Sequence, residues 1–304
     1  MQEKWESAGR AFTGSSALKI ISGPEMKFYT TWKIGGKAVA LVDIVDSRMV
    51  PDFFLRMKEA GCRYKMLGKG SNILVDDEGF PGVVVRLSGD FSRVVLQGDR
   101  IIESGAGTPL CNLVSSTLRH GLGGCEFLVG IPGTVGGAIL VNAGCFGQEI
   151  GQLVSRVQVM DPDGTVHWLE KKEYGFFYRG SSLKRSEGII LRVVFSLVPD
   201  FPVVIREKIR YYSLTRKQNQ PVRWPSAGSV FKNPPGFYAA RIIEDLGFKG
   251  LKSGGAQISE KHSNFIVNLG GATSRDVISL IDWIRTEVLR ARDISLENEI
   301  EVWQ

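Results

Sequence analysis

The feature that most constrains the fold of this chain is a run of small residues near its middle. The stretch "GIPGTVGGAILVNAGCFGQEIG", residues 130–151, consists largely of glycine and other small residues. Glycine loses the most conformational freedom on folding and has no side chain to pack, so most of this stretch cannot form a regular helix or a central strand. The chain must therefore place irregular backbone between better-patterned segments.

Regular elements are predicted on both sides of this stretch. Before it, "AVALVDIV" at 38–45 predicts a strand, Ser47 is expected to cap the helix that follows, and Gly61 to end that helix. This pattern is a β-α-β unit. Further strands are predicted at 64–68, 73–75, 83–87, 93–97, 156–161, 165–170 and 188–198, and a helix with Leu110, Leu113, Val114 and Leu118 on one face stops at Gly121.

The last third of the chain reads as helices around a short strand. A helix led by Pro202 must end before Pro221, and another is expected to end at Gly247. Thr273 followed by Asp276 predicts a capping box that opens a long amphipathic helix. With a strand at 265–269, these elements predict a mixed α/β, or α+β, fold in about three segments.

Length and charge limit the classes of function. A chain of 304 residues exceeds the usual size of a single hydrophobic core, so two or three domains are expected. The net charge of +6 suits either nucleic acid or small anionic ligands. Nucleic acid is not expected, because the basic residues are scattered and the densest group, 207–221, includes Glu207. No stretch resembles an export signal or a membrane span.

The four cysteines do not form a metal-binding pattern. Cys62, Cys111, Cys125 and Cys145 lack paired CxxC spacing and lie in apolar or glycine-rich surroundings. We expect reduced, buried thiols in a cytosolic protein and no metal.

Three glycine-containing turns suggest a phosphate-bearing ligand. We call "LGKGSN" (67–72) the first glycine turn, "SGAGTPL" (104–110) the second and "GIPGTVGG" (130–137) the third. Such turns can direct backbone N–H groups at an anion, although each alone is equally well a tight turn. Neither the dinucleotide fingerprint nor the P-loop pattern is present. Together the turns fit an extended ligand with a diphosphate.

The stretch "PSAGSVFKNPPG", residues 225–236, is too poor in large apolar side chains to be predicted as core. It holds a hydroxyl, an ammonium group and an amide within five positions, at Ser229, Lys232 and Asn233. We interpret it as a site loop, the alternative being that Ser229 only closes a turn.

Taken together, these motifs resemble the UDP-N-acetylenolpyruvoylglucosamine reductase family. The similarity covers nearly the whole chain in the family's order, through "YTTWKIGGKA", the three glycine turns, "FFYRGSSL", "QPVRWPSAGSVFKNP", "GGAQISEKHSNFIVN" and "LENEIEVW". It implies a vanillyl-alcohol-oxidase (PCMH-type) FAD-binding domain in two parts, 1–88 and 89–200. It also implies an α+β substrate-binding domain, 201–304, whose C-terminal strand returns to the active site.

The resemblance implies FAD as cofactor and NADPH as electron donor. In the implied reaction NADPH reduces FAD, and hydride then passes to the enolpyruvyl methylene carbon of the UDP-sugar, which gives UDP-N-acetylmuramate. FAD contacts are expected at Thr30, Leu67, Gly68, Lys69, Gly70, Ser71, Asn72, Ile73, Gly107, Thr108, Gly130, Ile131, Pro132, Gly133, Thr134, Gly137, Ala138 and Ile190.

The same resemblance assigns three catalytic roles. Ser229 matches the family's proton donor, and Arg179 matches an arginine at the substrate carboxylate, where a planar cationic fork suits an enolate-like anion. Glu299 matches an acid that stabilises the same charge by hydrogen bonding in its protonated form, with Glu297 and Glu301 as neighbouring candidates. Two residues depart from the family pattern, Asn298 in place of proline and Lys69 in place of a small or amide residue.

Substrate contacts are implied at Arg216, Lys232, Asn233 and His262, with Asn264 in the same region. No long insertion separates Arg179 from Arg216, which places the chain in the shorter subclass. The resemblance implies a cytoplasmic enzyme, and we expect a monomer. Two alternatives remain open: another FAD-dependent oxidase or dehydrogenase of the same fold, and a catalytically silent nucleotide-sugar-binding protein.

Overall fold

A computed structural model describes residues 1–12, 14–184 and 188–304. Its α-helices are α1 (Gln2–Arg10), α2 (Val50–Glu59), α3 (Leu110–Arg119), α4 (Val135–Leu140), α5 (Pro202–Asn219), α6 (Ala239–Asp245) and α7 (Ser274–Arg292). Its strands are β1 (Leu18–Ser22), β2 (Ala38–Ile44), β3 (Tyr64–Met66), β4 (Ile73–Val75), β5 (Phe80–Leu87), β6 (Val94–Leu96), β7 (Ile101–Gly105), β8 (Leu122–Gly123), β9 (Gly144–Cys145), β10 (Gln148–Glu149), β11 (Val154–Met160), β12 (Val166–Glu170), β13 (Phe176–Phe177), β14 (Gly180–Ser181), β15 (Ile189–Ser196), β16 (Val198–Pro199), β17 (Lys252–Ser253), β18 (Ala256–Ile258), β19 (Ile266–Asn268) and β20 (Glu301–Trp303). The mixed helix and strand content that the sequence predicts is confirmed.

The chain folds into two compact units, each assembled from several segments. The first unit contains Met1–Ser22, Val39–Gly68 and Gly82–Leu214, and the second contains Gly23–Ala38, Lys69–Pro81 and Thr215–Gln304. The three-part division at 88 and 200 stays a prediction. Across the described part of the chain, no helix has the length and apolar character that a membrane crossing requires.

The first unit contains two sheets. One has the strand order β1-β2-β5-β3, in which β1 and β2 are antiparallel and β3 and β5 parallel. The predicted β-α-β unit is confirmed as β2-α2-β3, with β5 lying between its two strands. The other sheet has the order β12-β11-β15-β7-β6 and is antiparallel. Its core includes Val157, Val193 and Phe195, packed with Leu113 and Ile139 of α3 and α4.

The second unit is built around α7 and the sheet β17-β18-β19. The predicted capping box is confirmed, since the Thr273 side chain accepts from the Asp276 N–H and the Asp276 carboxylate accepts from the Thr273 N–H. α7 buries an apolar stripe that contributes to the unit's core, namely Val277, Leu280, Ile281, Ile284 and Val288. β20 pairs in parallel with β4, so the C-terminal strand returns to the strand that follows the first glycine turn.

Two local predictions are wrong. Ser47 does not cap α2, because Pro51 lies in the first turn and the helix begins at Val50; Ser47 instead opens a 3-10 turn whose N-cap is Asp46. Within 225–236, three residues belong to the core of the second unit: Ala227, Val230 and Phe231, exposed by 2%, 1% and 1%. Only one side of the segment is buried, so a few apolar residues suffice, and the low apolar content of the whole segment led to the wrong prediction.

The expectation of buried thiols holds for Cys62 and Cys125 and is wrong for Cys111, which is exposed. α3 buries Leu110 and Leu113, and Cys111 falls on the opposite face of that helix. Cys145 is partly buried. Burial raises the pKa of the Cys125 thiol well above its usual range, so this thiol is kept protonated.

Candidate active site

The second and third glycine turns pack against each other in the first unit. The N–H of Val135 donates to the Thr108 carbonyl at 2.9 Å, and the N–H of Leu110 donates to the Gly133 carbonyl at 3.0 Å. These bonds join the predicted FAD contacts of both turns into one continuous piece of backbone. Some backbone N–H groups of these turns therefore donate to the neighbouring turn and are not available to a ligand.

Glycine is required here because backbone segments approach closely. A Cβ at Gly107 would lie 2.1 Å from the Leu87 carbonyl oxygen, and one at Gly68 would lie 2.7 Å from the Thr134 hydroxyl oxygen. Neither contact is possible for a real side chain without movement of its neighbour. These glycines therefore let the backbone segments of the predicted FAD contacts pack closely against one another.

The other predicted FAD contacts of this unit divide by burial. The side chains of Leu67, Ala138 and Ile190 are buried, at 6%, 4% and 6% exposure, whereas Gly130 and Pro132 are exposed. Ala138 and Ile190 belong to the core of the first unit. The exposed pair lies where a ligand can reach the backbone.

Arg179 lies in the tight turn between β13 and β14. Its backbone φ is +56°, a left-handed conformation that residues other than glycine rarely adopt. The side chain is partly buried, and its Nη1 donates to the Gly144 carbonyl at 3.1 Å. Such a conformation persists only where surrounding contacts impose it, and it is common at functional sites.

In the second unit, Ser229 and Glu299 lie on two paired segments. The Glu299 N–H donates to the Val230 carbonyl at 2.7 Å, and the Lys232 N–H donates to the Glu297 carbonyl at 2.9 Å. Ser229 directly precedes Val230, so the pairing brings together the backbone of the predicted proton donor and that of the predicted acid.

Glu299 is also held from the opposite side. The Asn72 side chain donates to the Glu299 carbonyl at 3.0 Å, and the Asn72 carbonyl accepts from the Glu301 N–H at 3.0 Å. Asn72 was predicted only as an FAD contact. The structure shows that it also fixes the backbone that carries Glu299.

A buried amide clamps the segment that follows Ser229. Asn264 is 4% exposed; its Oδ1 accepts from the Phe231 N–H at 2.9 Å, and its Nδ2 donates to the Phe231 carbonyl at 2.8 Å. The Asn264 carbonyl accepts from the Val230 N–H at 2.8 Å. Before the clamp, Gly228 turns the chain with φ +77°. Asn264 was predicted only as part of the substrate region, and no local pattern in the sequence indicates this supporting role.

The second half of the first glycine turn belongs to this unit. Gly70 has φ +63°, and its carbonyl accepts from the Thr31 N–H at 2.9 Å. The Thr31 hydroxyl donates to the Ser226 carbonyl at 2.7 Å, which ties this turn to the loop of Ser229. The neighbouring Thr30 is buried and donates to the Ile34 carbonyl at 2.8 Å.

The predicted substrate contacts carry internal bonds of their own. Lys232 Nζ lies 3.0 Å from Glu297 Oε2, and Asn233 Oδ1 accepts from the N–H of Ala239, the first residue of α6, at 3.0 Å. Arg216 is 8% exposed and lies on α5. Any ligand that engages these groups competes with these partners.

His262 combines burial with an unused nitrogen. Its Nδ1 is buried and, within residues 1–12, 14–184 and 188–304, has no hydrogen-bond partner. The ring lies edge-on to Phe265, with 4.7 Å between centroids. Burial lowers the pKa of His262, and the positive charge of Lys249 lowers it further. A hydrogen bond to the His262 backbone and the negative charge of Glu244 act in the opposite direction and raise the pKa.

This pKa shift predicts a pH dependence of stability. The unfolded chain binds the proton more tightly than the folded one, so the free energy of unfolding should fall as the pH drops below about 6.5 and level off beneath the folded pKa. Urea unfolding from about pH 5 to about pH 8 should give a flatter profile for His262→Gln. His167→Gln, at a partly exposed histidine, is the control. Identical profiles for His262→Gln and the unmodified protein would contradict the assignment.

No cluster of potential metal ligands occurs among the residues that the structure describes.

The predicted site residues divide into two sets, one in each compact unit. One set, in the first unit, contains the second and third glycine turns, Leu67, Gly68, Ile190 and Arg179. The other, in the second unit, contains Thr30, 69–73 and the polar groups around Ser229 and Glu299.

Comparison with known proteins identifies the class. A profile for a FAD binding domain matches residues 42–170, and a profile for the C-terminal domain of UDP-N-acetylenolpyruvoylglucosamine reductase matches residues 220–303. Together, these matches define a FAD-dependent oxidoreductase. The fold class and the FAD cofactor expected from the sequence are confirmed.

Relatives over the full length give the family. The chain is 46% identical to the UDP-N-acetylenolpyruvoylglucosamine reductase of Moorella thermoacetica, over 97% of this chain and 97% of the relative. It is 42% identical to UDP-N-acetylenolpyruvoylglucosamine reductase 2 of Symbiobacterium thermophilum, over 94% and 92%. The crystal structure of the enzyme from Thermus caldophilus superposes with a TM-score of 0.80 at 40% identity, covering 94% of this chain and 99% of that one. This chain belongs to the UDP-N-acetylenolpyruvoylglucosamine reductase family.

Proposed function

We propose that this protein reduces UDP-N-acetylglucosamine enolpyruvate to UDP-N-acetylmuramate, with NADPH as electron donor, in the synthesis of peptidoglycan precursors. The observation that carries the proposal is the pairing that holds Ser229 next to Glu299, with Glu299 N–H to Val230 carbonyl at 2.7 Å. A cytoplasmic location and a monomeric state remain predictions. When bound, FAD supplies the hydride relay between NADPH and the enolpyruvyl methylene carbon.

The side chains of this protein have to deal with the charge that the reaction creates on the substrate. Addition of hydride at the methylene carbon leaves negative charge on the adjacent carbon and its carboxylate. Arg179 binds that carboxylate through its guanidinium group, because a planar fork matches a carboxylate in two places. Glu299 stabilises the same charge through a hydrogen bond, and the Ser229 hydroxyl donates the proton that completes the product.

Rigid backbone favours these roles. Proton transfer needs a donor within hydrogen-bonding distance of the carbon, and small displacements are costly. The Asn264 clamp and the Asn72 bond fix the two segments that carry the donor and the acid. The protein therefore has little need to reorganise these groups during the reaction.

The remaining contacts are proposed to hold the two nucleotides. The three glycine turns, with Thr30 and Ile190, bind FAD, and the exposed Lys69 adds positive charge near its diphosphate. Arg216, Lys232, Asn233 and His262 bind the UDP-sugar. Lys232 exchanges its contact with Glu297 for a ligand phosphate when substrate binds.

An anaerobic absorbance experiment tests the function. Purified protein should be yellow, lose its visible absorbance on addition of NADPH, and recover it on addition of the enolpyruvyl UDP-sugar without oxygen. Colourless protein, or yellow protein that NADPH does not bleach, would favour a silent nucleotide-sugar-binding protein. Recovery only on admission of oxygen would favour an oxidase of the same fold.

A further inference from the structure

A fully buried amide outside the predicted site contacts the hairpin of β13 and β14, whose turn carries Arg179. Asn142 is 0% exposed and has a left-handed backbone with φ +45°. Its Oδ1 accepts from the Gly151 N–H at 3.0 Å, and its Nδ2 donates to Glu149 Oε2 at 2.7 Å and to the Phe177 carbonyl at 3.1 Å. One side chain thus joins the 149–151 segment, through the Glu149 carboxylate and the Gly151 N–H, to the backbone at the end of β13.

Asn142 bears on the position of Arg179 in two ways, through one of its side-chain partners and through its own segment of the chain. Phe177 is the last residue of β13, and the turn that carries Arg179 follows it directly. Gly144, two residues after Asn142, supplies the carbonyl that accepts from Arg179 Nη1. Asn142 therefore fixes both the start of the turn and the neighbourhood of the group that holds the guanidinium.

The energetic weight of such a group is large. A buried amide with all its contacts made is rigid, whereas removal of the amide leaves the buried Gly151 N–H without that partner and takes a hydrogen bond from the Phe177 carbonyl. Arg179 holds a left-handed conformation that its surroundings have to impose. Two buried side chains tie this hairpin to the rest of the first unit: Asn142 on the strand before Arg179, and Ser181, whose hydroxyl donates to the Leu140 carbonyl at 3.2 Å, on the strand after it.

We propose that Asn142 is a positioning residue that holds Arg179 in place for the substrate carboxylate. This inference rests on the proposed function, because it assigns Arg179 to the substrate. Asn142 acts through Arg179 and not on the reacting atoms.

The test is a double-mutant cycle in the FAD-loaded protein. Asn142→Gly keeps the left-handed backbone accessible and removes all three bonds. It should slow anaerobic re-oxidation by the enolpyruvyl UDP-sugar by up to about 100-fold, the loss that displacement of a catalytic group by about 1 Å can cause, while reduction by NADPH changes by less than about threefold. Combined with Arg179→Ala, it should slow re-oxidation no further than Arg179→Ala alone, within about twofold.

A second measurement does not depend on activity. Amide hydrogen exchange of a peptide that covers 171–184 should be faster in Asn142→Gly than in the unmodified protein, because the hairpin loses its internal anchor. Tyr212→Phe is the matched control; it removes the 2.8 Å bond from Gln148 on the outer side of the same loop and keeps the ring stacked on Phe146. It should leave exchange and both rates unchanged.

Three results would overturn the proposal: unchanged re-oxidation in Asn142→Gly, additive losses in the double variant, or equal losses in both half-reactions. If Asn142→Gly does not fold, Asn142→Ser takes its place in the cycle, and failure of both to fold would show that the amide serves the whole unit. If the unmodified protein is not re-oxidised by the UDP-sugar, the proposed function fails. The exchange experiment still decides whether Asn142 anchors the hairpin.

Discussion

The Ser229→Ala protein is expected to be reduced by NADPH at close to the normal rate and to be re-oxidised by the enolpyruvyl UDP-sugar about 10³-fold more slowly, a loss typical of removing a general acid. The separation of the two effects follows from the chemistry. Only the second half-reaction forms a carbon-centred anion that needs a proton, whereas reduction by NADPH needs none from this hydroxyl. Stopped-flow absorbance under anaerobic conditions measures each half-reaction by itself.

A neighbouring serine provides the control. Ser226 lies on the same loop and contributes its backbone carbonyl to the Thr31 hydroxyl, a contact that Ser226→Ala retains. Both rates should be unchanged in Ser226→Ala. A Ser229→Ala protein that loses both half-reactions equally would contradict the role of proton donor and would indicate damage to the loop or to FAD binding. Retention of both rates would show that another group delivers the proton.

Elements governed by local sequence could be predicted well. α7 begins where Thr273 and Asp276 form their capping box, and its buried stripe recurs at helical spacing, so neither depends on the rest of the protein. The same holds for helix ends marked by glycine, such as Gly121 with φ +63° and Gly247 with φ +76°. In these cases the helix ends at a left-handed backbone conformation, and glycine is the residue type that adopts this conformation most readily.

Contacts between distant segments could not be predicted from local patterns. The pairing of Val230 with Glu299 and of β4 with β20 joins segments far apart in sequence, and no periodicity indicates which strand pairs with which. The residues of 225–236 marked Ser229 as part of a site loop, but the role of Ser229 and the choice of Glu299 came only through resemblance to the family. The bond from Asn72 and the clamp by Asn264 appear only once the tertiary structure brings these amides to the backbone they hold.

Residues whose burial or hydrogen-bonding role depends on distant parts of the chain were predicted least well. Phe231 lies in a loop of low apolar content and is nevertheless 1% exposed, because the chain lays one side of this loop on the core of the second unit. Ser47 was expected to cap a helix, but Asp46 accepts from the Arg48 N–H at 2.9 Å. Asn142 carries no local signal at all, since its three partners lie on the Glu149, Gly151 and Phe177 segments.

Replacement of Glu299 is expected to have the second large effect and to depend on the replacement chosen. Glu299→Ala should slow re-oxidation by the UDP-sugar by about 10²-fold to 10³-fold, a loss typical of one hydrogen bond to a developing anion. Glu299→Gln keeps a donor of nearly the same length, so it should recover most of the lost rate if the glutamate acts as a hydrogen-bond donor. Reduction by NADPH should be near normal in both variants.

The backbone explains why this comparison is informative. Glu299 is held on one side by the Val230 carbonyl and on the other by the Asn72 side chain, and both bonds involve main-chain atoms that the variants retain. A change in rate therefore reports on the side chain. Glu301→Gln, which keeps an oxygen to accept from the Trp303 indole N–H at 3.2 Å, should leave both rates unchanged. If Glu299→Gln is as slow as Glu299→Ala, the carboxylate must act through its charge or as a base, and its assignment as a hydrogen-bond donor is wrong.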